Sequence, residues 1–93
     1  MDSLIEIYLD RANSEIMVAK SLKRLSEVEE DKINFEIPND ASFYSSVISH
    51  SYYAIFYATK ALLLTKKIET KSPEVHKKTF EEFKQNFVDN NEL

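Results

Sequence analysis

The chain has 93 residues and a mass of 10.9 kDa, room for one small domain. It contains no cysteine, and no glycine where ordinary usage of about 7% would place roughly six. These absences remove Walker-type phosphate loops, dinucleotide fingerprints, EF-hands, GxSxG nucleophile elbows, disulfide frameworks, zinc ribbons, iron–sulfur clusters and thiol nucleophiles. The two histidines, His50 and His76, stand in no HxxxH or HxxE pairing, so neither a metal site nor a cofactor is predicted. Twelve Lys+Arg against 16 Asp+Glu give a net charge of −4 and a pI near 5.1. That balance fits an ordinary cytosolic protein and argues against attraction to nucleic acid over the whole surface. A hydrophobic content of 43% suffices for a core. The start, Met1-Asp2-Ser3-Leu4-Ile5-Glu6, has neither a basic n-region nor a long apolar stretch, so no signal peptide is predicted and the expected location is cytoplasmic.

The first predicted helix covers about residues 3–30. Its apolar positions Ile5, Tyr8/Leu9, Ala12, Ile16, Ala19, Leu22, Leu25 and Val28 recur at helical spacing. Ser3 and Glu6 are spaced as a capping box. Asp10, Glu15, Lys20, Lys23, Arg24 and Glu27 read as its wet face. Residues 31–40 read as a connector in which Ile33, Phe35 and Ile37 alternate with polar neighbours, predicting a short extended stretch on the core. Pro38-Asn39-Asp40 then breaks the chain, and Asn39 or Asp40 is placed to cap the next helix.

The second predicted helix covers about 41–67. From Ala41 to Thr59 it carries no charge, and it holds four of the five tyrosines. Five serines, a histidine and a threonine make it too polar for a membrane span, so it reads as a central helix packed on most of its circumference. Ser45, Ser46, Ser49 and Ser51 would admit a close neighbour or a second copy of the chain. The third helix, about 73–88, opens on Ser72-Pro73 and carries His76, Phe80, Phe83 and Phe87 on one stripe. Asn90-Asn91 stands where a left-handed cap is expected. The fold class is therefore all-α, an up-down bundle of three long helices in a single domain spanning 1–93.

Two groups of residues stand out chemically. His50, Tyr53 and Tyr57 share one face of the second helix, with His50 and Tyr57 about 10.5 Å apart along the axis. Buried, such groups need partners, and a core satisfied by backbone is one reading. The other is an interface or cleft where aromatic faces stack a base and His50 donates to phosphate. An imidazole is a side chain suited to acid–base work, yet the sequence shows no second acid or base beside His50. The other group is Lys60, Lys66, Lys67, Lys71, Lys77 and Lys78, a local excess of +4 over residues 60–78 once Glu69 and Glu74 are counted. It reads either as a basic rim for phosphate or as an ordinary solvated helix end. His76, in the first turn of the third helix, reads as a neutral packed imidazole.

The segment Ser49-His50-Ser51-Tyr52-Tyr53-Ala54-Ile55-Phe56-Tyr57-Ala58-Thr59-Lys60-Ala61-Leu62-Leu63 resembles the signature helix of HEPN-domain proteins. It is most similar to the small prokaryotic branch, where this helix runs (N/S)-R-x-Y-Y-A-x-F-H-A-x-(K/R)-A-L-L. Arg11-Ala12 resembles the first helix of that family, and His76 with Phe80, Phe83, Phe87-Val88 and Asn91-Glu92-Leu93 resembles its third helix and the following turn. The resemblance implies a helical bundle of four or five helices, here lacking or truncated in its C-terminal helices. It also implies a homodimer and a small nucleotidyltransferase partner in a toxin–antitoxin-type pair, while the polarity of the second helix leaves no membrane partner expected.

Active relatives are metal-independent RNases that use an Arg…His motif on this helix. Here the arginine position is His50 and the histidine position is Tyr57. A phenol of ordinary pKa near 10 is no base at neutral pH, and an imidazole lacks the permanent bidentate charge of arginine. The expectation is a degenerate RNase motif with no assigned catalytic residue. The remaining role is binding of RNA, a nucleotide or a partner, with His50, Tyr53, Tyr57, Lys60, Lys66, Lys67 and Lys71 as candidate contacts. The alternatives are an active metal-independent RNase toxin using His50, and a non-catalytic helical dimerisation module.

Overall fold

A computed structural model describes residues 3–71 and 74–90. Among these the fold is all-helical: α1 (Ser3–Glu27), α2 (Glu29–Asn34), α3 (Tyr44–Leu64) and α4 (Val75–Phe83), the last continued by a π-helical turn, Lys84–Val88.

α1 and α3 form an antiparallel pair. Tyr8 stacks on Tyr57, Glu15 meets His50, and Glu27 accepts from the Tyr44 hydroxyl, so the chain positions run in opposite senses along the seam. Small residues occupy that seam at a seven-residue spacing: Ala12, Ala19 and Ser26 are buried on α1, Ala54 and Ala61 on α3. A seven-residue repeat keeps one stripe of each helix facing the other over several turns. Alanine and serine at the contact positions let the two backbones approach.

The connector departs from the sequence expectation. Val28 is extended and ends α1, and α2 then forms in place of the predicted extended stretch. Glu29, Glu30 and Asp31 sit in the first turn of α2, where the helix dipole favours negative charge. Arg24 holds Asp31 at 2.9 Å, and the buried Lys32 donates to the Asn39 carbonyl at 2.7 Å. These local bonds outweigh the apolar alternation, and Ile33 and Phe35 end up 68% and 69% exposed rather than on the core.

The cap of α3 also differs. The helix begins at Tyr44 rather than Ala41, and neither Asn39 nor Asp40 caps it. Instead the Phe43 N–H donates to Ser26 Oγ at 2.7 Å, while that hydroxyl donates to the Leu22 carbonyl at 2.8 Å. The cap is therefore a tertiary contact supplied by α1. α1 already includes Ser3, so its capping position lies outside the described residues, as do Ser72-Pro73 and Asn91.

With no glycine available, left-handed positions fall to Glu36, Lys67 and Glu74. Two of them close Schellman caps. Ile37 N–H reaches the Lys32 carbonyl and Glu36 N–H that of Ile33; Ile68 N–H reaches Leu63 and Lys67 N–H reaches Leu64. α3 thus ends at Leu64, ahead of the predicted Lys67.

α4 packs against α3 through Phe56, His76 and Phe80. Thr79 is completely buried: its hydroxyl donates to the Val75 carbonyl and accepts from Thr70, tying the segment after α3 to α4. In the π turn the Asp89 N–H reaches back to Lys84, and Phe83 and Phe87 stack at 5.5 Å. The Asn86 carbonyl in that turn accepts from both Lys66 Nζ and Asn90 Nδ2.

α3 is covered on the sides facing α1 and α4, but not on most of its circumference as the sequence predicted. Ile48 is 70% exposed and Ile55 59%, and Leu62 is exposed on the same stripe. Leu9 and Ile16 of α1 border it. The radius of gyration, 16.7 Å, exceeds the roughly 12 Å of a compact chain of this length. The helical pair is elongated and leaves one apolar face open.

Candidate functional site

The chemistry gathers on the opposite edge of the α1–α3 seam. Positions 50, 53, 57 and 60 recur at three- and four-residue spacing on α3, so they share one face. Positions 8, 11 and 15 do the same on α1. The antiparallel register brings the two sets together.

At one end, His50 Nδ1 lies 2.5 Å from Glu15 Oε2, with both side chains about two-thirds covered. With a carboxylate accepting, Nδ1 is the donor, and Nε2 has no protein hydrogen-bond partner among the described residues. The sequence showed no acid beside His50 and put Glu15 on the wet face; the fold pairs them. A seven-residue count from the buried seam positions would have aligned 15 with 50, but only once the partner helix and its register are known.

Two turns along α3, Tyr57 stacks on Tyr8 with ring centroids 6.1 Å apart. Arg11 lies over Tyr57 at 5.5 Å, and Lys60 Nζ lies over Tyr8 at 4.7 Å and over Phe56 at 5.5 Å. Cations over ring faces are held by the ring quadrupole, a contact that orders them without neutralising them. Tyr53 is exposed, 6.5 Å from Tyr57 and 5.7 Å from the His76 ring.

His76 sits in an aromatic cluster rather than in this row. Its ring stacks on Phe56 at 4.0 Å and on Tyr52 at 5.6 Å, and the Tyr52 hydroxyl lies 3.1 Å from Nδ1. That is the packed histidine the sequence predicted.

The lysines do not all converge. Lys60 joins the aromatic row. Lys66 is drawn to the π turn, where Nζ donates to the Asn86 carbonyl at 2.8 Å and lies 4.5 Å over Phe87. Lys67 and Lys71 are exposed on the segment after α3. Among the described residues no cluster of three His, Cys, Asp or Glu is arranged to hold a metal, and no helix is long and apolar enough to cross a membrane. Arg11, Glu15 and Tyr8 are the members of the row that sequence reasoning missed, since all three come from the facing helix.

Comparison with known proteins fits this geometry to a family. The HEPN domain profile matches residues 22–93, which include α3 and α4. The "Putative toxin MJ0142" of Methanocaldococcus jannaschii is 35% identical over 80 residues, covering 85% of this chain and 52% of that protein. The chain thus spans about half the length of the curated relative it matches. No solved structure matches it. With its signature segment forming α3 and its histidine–phenylalanine stripe packed against that helix, the chain belongs to the HEPN-domain family.

Proposed function

We propose that this chain is a toxin–antitoxin-type HEPN protein that works beside a small nucleotidyltransferase, and that the face carrying His50, Tyr53, Tyr57 and Lys60 binds RNA or a nucleotide. Similarity to a protein named as a toxin supports the first part. The observation that carries the second is the row itself: a half-buried imidazole held by Glu15, exposed or half-exposed phenol rings and an ordered ammonium on one helical face. Aromatic rings stack bases irrespective of sequence, and cations beside them track phosphates. Lys67 and Lys71 extend the positive charge beyond α3, whereas the contact of Lys66 with the π turn gives it a structural part as well. A second copy of the chain fits the open apolar stripe of Ile48, Ile55 and Leu62, which would make the protein a homodimer in the cytoplasm.

The test is fluorescence anisotropy with a labelled 12-nucleotide RNA at low salt. Saturable binding weakened by Tyr53→Ala and His50→Ala supports the reading, and binding indifferent to both contradicts it. Co-purification with the product of a neighbouring nucleotidyltransferase frame tests the partner. Sedimentation giving a folded monomer at micromolar concentration would remove the homodimer.

One observation favours a second reading. The Glu15–His50 pair supplies the acid that the sequence lacked, and a carboxylate-oriented imidazole with a free Nε2 is equipped for proton transfer at phosphodiesters. In this reading the protein is a metal-independent RNase. Purified protein that leaves a broad RNA pool intact in chelator across pH 5–8 would end it.

A further inference from the structure

The sequence offers His50 and the lysine rim as phosphate contacts, and the fold adds a guanidinium from the facing helix. We infer that Arg11 and Lys60, one over each ring of the stacked Tyr8–Tyr57 pair, are the cations that take up phosphate, a two-cation clamp drawn from both helices along this edge, an inference that rests on the reading of this face as a nucleotide or RNA site. α3 contains no arginine, so the face's one guanidinium comes from α1.

Three features of the geometry support the clamp. Arg11 lies over the ring of Tyr57 and Lys60 over that of Tyr8, so the stacked pair carries a cation from each helix. Ring contacts of this kind restrict the long side chains before any ligand arrives, which lowers the ordering cost of binding.

Neither cation is spent on a carboxylate. Among the described residues the ion pairs are Lys23–Glu27, Arg24–Asp31 and His50–Glu15. Glu15, one turn along α1 from Arg11, has its Oε2 on His50 instead. Both cations keep their N–H donors for an incoming anion, and a guanidinium offers a fork that matches phosphate oxygens.

The phenol hydroxyls add donors. Neither the Tyr8 nor the Tyr57 hydroxyl is hydrogen-bonded to a protein group among the described residues. Among the described residues no buried side-chain polar atom is left without a partner, so the unbonded hydroxyls of the half-exposed Tyr8 and Tyr57 are not buried. The seam therefore lines up a guanidinium over Tyr57, an ammonium over Tyr8 and the two phenol O–H groups along one edge, with Glu15 engaged on His50. Such a donor set suits a phosphomonoester or phosphodiester.

The experiment is calorimetric titration of the full chain with inorganic pyrophosphate and with a 12-nucleotide single-stranded RNA. Arg11→Met and Lys60→Met keep the apolar stems and remove the charge. Lys20→Met, on the far edge of α1, removes a charge elsewhere. The expected result is that each clamp variant weakens both ligands at least tenfold, that Arg11→Lys loses less than Arg11→Met, and that Lys20→Met stays within twofold of the parent. Circular dichroism melts establish that each variant is folded. RNA binding that survives in Arg11→Met and Lys60→Met within twofold overturns the clamp and leaves the face's RNA binding standing. A parent chain that binds neither ligand overturns both.

Discussion

His50 and Glu15 meet across the α1–α3 seam with Nδ1 and Oε2 2.5 Å apart, thirty-five residues apart in the chain. With the carboxylate accepting, the contact places the donating N–H at Nδ1. In Glu15→Ala the ring should lose its preference for the Nδ1–H tautomer, read from the histidine nitrogen chemical shifts. The same variant should cost about 1 kcal/mol of stability, as befits a partly exposed charge-assisted hydrogen bond. A His50 ring whose nitrogen shifts ignore Glu15 would mean the pair does not form in solution.

The small residues of the seam are equally specific. Ala54 and Ala61 are buried on α3 at the seam that also buries Ala12 and Ala19 of α1. Ala54→Leu should lower stability by about 1–3 kcal/mol through overpacking, measured by urea denaturation. The exposed position Ser49 should accept the same side chain with little loss.

Backbone strain sits at two caps. Glu36 and Lys67 hold φ of 57° and 60°, a left-handed conformation that costs an L-residue about 1–2 kcal/mol. Glu36→Gly relieves this cost and pays part of it back in unfolded-chain entropy. The expected net gain is about 0.5–1 kcal/mol in urea denaturation.

Tyr44 carries a pH signature. Its hydroxyl donates to Glu27 Oε2 at 2.8 Å, and this hydrogen bond, with partial desolvation and the carboxylate's charge, raises its pKa above the ordinary 10.0. A folded value above the unfolded one means the stabilisation is fully present below pH 10 and is lost as the pH rises through the folded value. The difference in 295 nm absorbance between the parent and Tyr44→Phe should therefore titrate above pH 10, and Glu27→Gln should bring it back down.

Much of the fold was legible because helical periodicity is a long-range signal. Ala12 and Ala19 of α1 and Phe87 of the last stripe are buried where the spacing put them, whereas Leu9 and Ile16 are exposed beside the open face. The connector misled because three alternating apolar residues are too short a signal against the Arg24–Asp31 and Lys32–Asn39 contacts. The cap of α3 was unreadable for a related reason, since Ser26 is seventeen residues upstream of the N–H it receives. In the site, α3 announced its own members, His50, Tyr53, Tyr57 and Lys60. Tyr8 reads as one of the apolar positions of α1 and Glu15 as part of its wet face, and only the antiparallel register sets them and Arg11 opposite His50 and Tyr57.

Salt dependence of RNA binding tests the central claim most directly. A phosphate site built on ordered cations releases counterions when RNA binds, with a slope of about −0.7 in log K against log salt per phosphate engaged on a single strand. The expected result is saturable binding of a 12-nucleotide RNA with a clearly negative slope, made shallower by roughly one phosphate's worth in Lys60→Met and weakened in Tyr53→Ala with the slope unchanged. No binding at low salt, or a slope and affinity that neither substitution moves, would contradict the assignment of this face to RNA.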